Sequence, residues 1–201
     1  MFRKFVFFFF LLLSIGNFAQ EKWSIAKVEA FQMELNRDYS DPKSSPLTKE
    51  DLATFKALDF FPPNEKFAVQ ARIKKKPDEK VFKMKTSTSR LPEYKKYGEL
   101  SFSIDGKAFV LNVYQNQDVI KKEGFEDYLF LPFSDLTCGK ETYIGGRYID
   151  MKIPESDTIL IDFNTAYNPY CAYNHKYSCP LVPLENDLNI AIEAGVKKFH
   201  D

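Results

Sequence analysis

Glycine is scarce in this sequence and histidine scarcer: 201 residues hold eight glycines, three cysteines, two histidines and one tryptophan. The few glycines make no phosphate-binding loop. TCGKETYIGGRY, residues 137 to 148, has the residue types but not the Gly-x4-Gly-Lys-Ser/Thr order that enters a helix. It reads as a turn, with Gly145-Gly146 supplying positive φ ahead of a strand. His175 lies between two cysteines and His200 at the extreme tail, which is poor material for a Ser-His-Asp or Cys-His nucleophile. Net charge is missing too. With 28 basic and 28 acidic side chains, neither nucleic acid nor an anionic membrane is an expected partner. The basic runs RIKKK and EYKKY are short and read as solvated strand ends or loops. No internal repeat occurs, and no apolar run reaches the ~20 residues of a membrane span.

What is present begins with an export signal. Arg3 and Lys4 precede an apolar run from Phe5 to Ile15, and small residues follow at Gly16 and Ala19. Cleavage is expected after Ala19, leaving residues 20–201 and a periplasmic or secreted location. Loss of Arg3 and Lys4 moves the formal charge from 0 to −2. The mature chain suits one domain and is expected to be a monomer with no membrane span. Twenty phenylalanines and eleven tyrosines favour antiparallel sheet, because flat rings pack well on a pleated surface.

Periodicity then places the elements. Ile25, Val28, Phe31 and Leu35 recur at helical spacing over 24–35, and NRDYSDPKSSP reads as a stop. Thr48 followed by Glu50 and Asp51 reads as a helix cap, with the helix running to about Leu58 ahead of Pro62-Pro63. This gives a helical arm over 24–58 and a β-rich body over 67–198. Alternating runs predict strands at 67–73, 81–87, 97–104, 107–115, 128–132, 146–153 and 158–163. Asp105-Gly106 predicts a hairpin turn. Leu188, Ile190 and Ile192 predict a last strand. The expected class is α+β: N-terminal helices followed by a mainly antiparallel β-sheet or open barrel.

Four stretches stand in order: TSTSRLPEYKKYGELSFSIDGK, LPFSDLTCGKETYIGGRYID, DFNTAYNPYCAY and CPLVPLENDLNIAIEAGVK. Together with SSPLTKEDLATFKALDFFPPNEKF, they resemble the bacterial and archaeal family called domain of unknown function 1684, over about residues 24 to 198. The resemblance carries no activity, ligand or catalytic residue with it.

The densest chemistry lies in DFNTAYNPYCAYNHKYSCPLVPLEN, 162 to 186. In an oxidising compartment Cys171 and Cys179 are expected to pair. Closing so short a loop removes roughly 2.5 kcal/mol of unfolded-chain entropy. Cys138 is then a free thiol. A zinc site from Cys171, His175, Cys179 and Cys138 is the alternative, although its spacing is not a standard one. No metal or cofactor is expected. Asp162, Glu185 and Arg147 could gather with Tyr143, Tyr148, Asn164, Tyr167, Asn168 and Asn186 around a polar site. The same residues could instead tie a long irregular loop to the sheet through its backbone groups. The preferred function is a binding module for an unknown small molecule or protein. The alternative is a secreted hydrolase of glycans or esters. In it Asp162 and Glu185 would serve as acid and base, and Arg147 as anion clamp.

Overall fold

The computed structural model describes residues 22–200, so the expected signal segment lies outside the described residues. Helix α1 spans Ile25–Ser40, past the stop expected at 36. Two contacts keep its last turn helical: Tyr39 is buried, and the Asn36 side chain accepts the Leu58 N–H at 2.7 Å. It ends at Asp41, as the residue before Pro42 must leave the helical region. Helix α2, Lys49–Thr54, starts at Thr48, whose hydroxyl accepts the Asp51 N–H at 3.1 Å. It stops short of Leu58, because the Asn36 bond holds that backbone outside a helix.

Eight strands follow: β1 Ala68–Lys75, β2 Val81–Lys83, β3 Glu93–Ile104, β4 Lys107–Asn116, β5 Tyr128–Asp135, β6 Arg147–Lys152, β7 Thr158–Asp162 and β8 Asp187–Leu188. They form one sheet with the path β6-β5-β4-β3-β1-β7, while β2 pairs with β3 and β8 with β5. Every pairing is antiparallel except β5 with β8. The result is a mainly antiparallel sheet curled into a half-barrel, more β than the α+β expectation. The two α-helices are confined to the first third of the described chain. The expected hairpin joins β3 to β4 through Asp105 at φ 51° and Gly106 at φ 74°.

Alternation sorts the strands into two buried faces. One carries the main core, with Leu100, Phe102, Leu111, Val113, Leu129, Leu131, Ile149 and Ile161. The residues between them build a second, aromatic cluster of Met84, Tyr94, Tyr114, Phe130 and Tyr148. A third cluster joins Tyr39, Leu47 and Leu58 of the helical arm to Tyr173 and Val196 of the C-terminal half. Among the described residues, no helix is long and apolar enough to cross a membrane.

Between β4 and β5 the ladder is interrupted. Tyr114 faces Phe130, and two residues along the same register Asn112 stands opposite Pro132. Proline has no N–H to donate, and the ladder cannot continue there. Asn186 fills the gap: it accepts the Asn112 N–H at 2.8 Å and donates to the carbonyls of Asn112 at 2.8 Å and Pro132 at 2.6 Å. Beyond it, β8 takes β4's place beside β5 at Ser134 and Asp135. Strand β8 therefore has two residues rather than the long strand the alternation suggests. Leu188 and Ile192 still point inward, at 2% and 0% exposure.

Candidate functional site

The polar residues singled out by the sequence separate into three groups. The first is internal scaffolding. Arg147, at the start of β6, is fully buried. Its Nη2 donates to Asp135 Oδ2 at 2.8 Å and to the Ile192 carbonyl at 2.9 Å, and its Nη1 donates to the Ala194 carbonyl. Asp135 Oδ1 accepts from the Thr137 N–H, the Thr137 hydroxyl and the Ile192 N–H. The pair clamps the C-terminal segment to the sheet, so Arg147 does not face outward to hold an anion. Gly146 before it has φ 83°, and a Cβ there would stand 2.6 Å from the Phe133 carbonyl.

The asparagines act likewise as stand-ins for backbone. Asn164 accepts the Asn64 N–H at 2.8 Å and donates to the Asn64 carbonyl at 2.9 Å. Asn168 donates to the Lys197 carbonyl at 2.9 Å. With Asn186 between β4 and β5, all three are buried and hold chain to chain. Glu185 accepts the Tyr114 hydroxyl at 3.2 Å. The Tyr148 hydroxyl donates to the Pro180 carbonyl.

The second group is the cysteine loop. Cys171 and Cys179 are free thiols in this structure rather than the expected disulfide. The Cys171 N–H donates to Cys179 Sγ at 3.2 Å, and the two thiols hydrogen-bond each other. The bond from Cys179 holds the Cys171 pKa below the usual thiol range, and the same bond pushes Cys179 up. Tyr143 lies beside Cys171, hydroxyl to sulfur 3.9 Å. The loop is pinned without a covalent bond. The Ser87 N–H donates to the Cys179 carbonyl at 2.8 Å, and Arg90 Nη2 to the Ser178 carbonyl at 2.8 Å. His175 is exposed, and Cys138 lies with Asp135 and Thr142 instead. Among the described residues no three metal-ligating side chains converge, so the zinc alternative does not assemble.

The third group opens onto a cleft. Strands β6 and β7 end the sheet path and do not pair with each other. Between them, beneath the start of α1, lies a cleft of about 970 Å³. Asp150 on β6, Asp162 and Leu160 on β7, Phe125, Tyr128 and Trp23 are among its lining residues. Of the two expected acid–base carboxylates, Asp162 lines this cleft and Glu185 does not. Asp162 Oδ1 is held by the Asn164 N–H at 3.0 Å and Nδ2 at 2.7 Å, which caps the turn after β7.

Asp150 is the group that sequence reasoning missed. Its Oδ1 accepts hydroxyls from Tyr128 at 2.8 Å and Tyr167 at 2.9 Å. Tyr167 is placed by a backbone bridge to Tyr148, with bonds of 2.9 and 3.0 Å. Solvent reaches Asp150, yet enough protein surrounds it that burial raises its pKa against the lowering effect of both tyrosines. Burial also keeps the tyrosine pKa values high, so both hydroxyls remain donors at neutral pH. Because folding raises the Asp150 pKa, its contribution to stability is complete below the ordinary aspartate range. That contribution is lost as pH rises through the elevated value. In the sequence Asp150 is one polar residue between Ile149 and Met151, like any outward strand position. The β5–β6 register sets Tyr128 diagonally beside it, and the bridge to Tyr148 brings in Tyr167.

Comparison with known proteins settles the family. A model described as a protein of unknown function, DUF1684, matches residues 53–197. The chain belongs to the DUF1684 family. No curated protein matches it. Among solved structures it is similar to the solution NMR structure of the uncharacterized protein from gene locus rrnAC0354 of Haloarcula marismortui. The identity is 32%, covering 86% of this chain and 92% of that one, with a TM-score of 0.68. That likeness extends the half-barrel of this DUF1684 chain to an archaeal relative.

Proposed function

We propose that this DUF1684 protein is an exported binding module whose small-molecule ligand occupies the cleft between β6 and β7. The observation that carries the reading is the cleft itself. A sheet that stops short of closing leaves two strand ends facing a concave, partly apolar space with a fixed carboxylate on its wall. The hydrolase reading draws less support, because Glu185 is engaged by Tyr114 away from the cleft and Arg147 is buried on Asp135. A fragment screen on the isotope-labelled mature chain, read by amide chemical shifts, tests the proposal. Hits should cluster on Trp23, Asp150 and Leu160. A screen whose hits all fall elsewhere, or that yields none, defeats it.

Export also bears on the cysteine loop. Export would bring these two thiols to a disulfide-bearing oxidant that accepts their electrons and closes the loop. Each thiol gives up one proton and one electron, the Sγ–Sγ bond forms, and the oxidant's disulfide becomes two thiols. Protein purified from an oxidising compartment should be lighter by two hydrogens before reduction. It should also show one alkylatable cysteine, Cys138, when denatured without reductant. Three alkylatable cysteines would show that the loop stays open.

A further inference from the structure

We infer that the ligand of the cleft is an organic cation, a protonated amine bound on Asp150. This rests on the cleft being a binding site and adds the class of compound it takes.

The molecule treats Asp135 and Asp150 differently. Asp135 is fully buried and has its own cation, Arg147, at 2.8 Å. Asp150 has none: among the described residues no lysine, arginine or histidine pairs with it, and burial disfavours its charge. Lys22, Lys27 and Lys152 also line the cleft, and Lys152 is drawn to Asp127 at 3.5 Å. A carboxylate in that position gains most from a positive charge brought to it, because the attraction grows as surrounding water is displaced.

Its orientation fits the same partner. Both tyrosine hydroxyls go to Oδ1, and no hydrogen bond among the described residues engages Oδ2. An ionised carboxylate oxygen only accepts, so a ligand that meets Oδ2 there must be a donor. The tyrosines fix the carboxylate without neutralising it. The walls add rings suited to a cation: Phe125 and Tyr128 meet edge to face at 6.4 Å, and Trp23 stands at the α1 side. Aromatic faces attract ammonium groups and repel anions. A neutral hydroxyl could donate to Oδ2 as well, but it would leave the charge uncompensated.

Three probes of one shape separate these possibilities: phenethylammonium, phenethyl alcohol and phenylacetate. Each is titrated into the mature protein and followed by amide shifts and by the fluorescence of Trp23, the chain's one tryptophan. Phenethylammonium should saturate the cleft. The alcohol and the carboxylate should bind at least about tenfold more weakly, the scale of one charge-assisted hydrogen bond. Asp150→Asn, with its fold checked by the amide spectrum, should lose that preference. Equal affinity for amine and alcohol on the wild-type protein overturns the cation inference, and needs no variant to do so. If such non-selective binding still maps to the cleft, the binding-module reading survives. If none of the three probes shifts a cleft amide, the cation inference falls, and the fragment screen alone decides the broader reading.

Discussion

Replacing Arg147 by methionine is expected to cost about 3–5 kcal/mol of folding stability, the range for leaving one partner of a buried ion pair alone. Methionine matches much of the arginine's length, so the loss measures the charge more than the volume. Asp135 would keep its bonds to Thr137 and to the Ile192 N–H but face no cation. The Ala194 carbonyl would lose its donor at the same time, and the Ile192 carbonyl would keep only the Ala194 N–H. Against a total of about 5–15 kcal/mol for a domain, that is a large share. Urea unfolding followed by circular dichroism measures it. Because both side chains are fully buried, the difference should change little between low and high salt. A variant with the wild-type midpoint would mean the pair does not clamp the C-terminal segment.

Asn186→Ala is expected to have a comparable effect for a different reason. It removes three hydrogen bonds and leaves the Asn112 N–H and the Asn112 and Pro132 carbonyls buried without partners. At about 1–3 kcal/mol for each group, partly relieved by local shifts or a water, the loss is about 3–5 kcal/mol. Asn186→Asp should not rescue it, since an aspartate still accepts from Asn112 but cannot donate to either carbonyl. Amide hydrogen exchange locates the damage. The Asn112 amide should lose protection early, while Leu100 and Leu111 on the β3–β4 ladder retain theirs until global unfolding. If the Asn112 amide stays as protected as its neighbours, Asn186 is not the group that bridges β4 and β5.

These two residues mark where sequence reasoning could and could not reach. Both stood out as polar residues in an aromatic setting, and each had two readings, a surface for a ligand or a tie for a loop. Arg147, Asn164, Asn168 and Asn186 are placed inside, where their donors and acceptors complete the hydrogen bonding of backbone that has no sheet partner. Proline at 132 already contained the clue, since a strand that cannot donate at that point needs a substitute. The sequence could not say that the substitute would come from a residue 54 positions away.

Local pattern by itself determined most of the strands, the Asp105-Gly106 hairpin, the Thr48 cap and the inward faces, because alternation, turn chemistry and capping act between near neighbours. The resemblance across four ordered stretches determined the family. Tertiary structure alone decided the longer α1, the two-residue β8, the pairing of Arg147 with Asp135 and the cleft with Asp150. Each of these depends on groups from separate elements meeting in the folded chain. A carboxylate's partners in space leave no periodic trace along the chain.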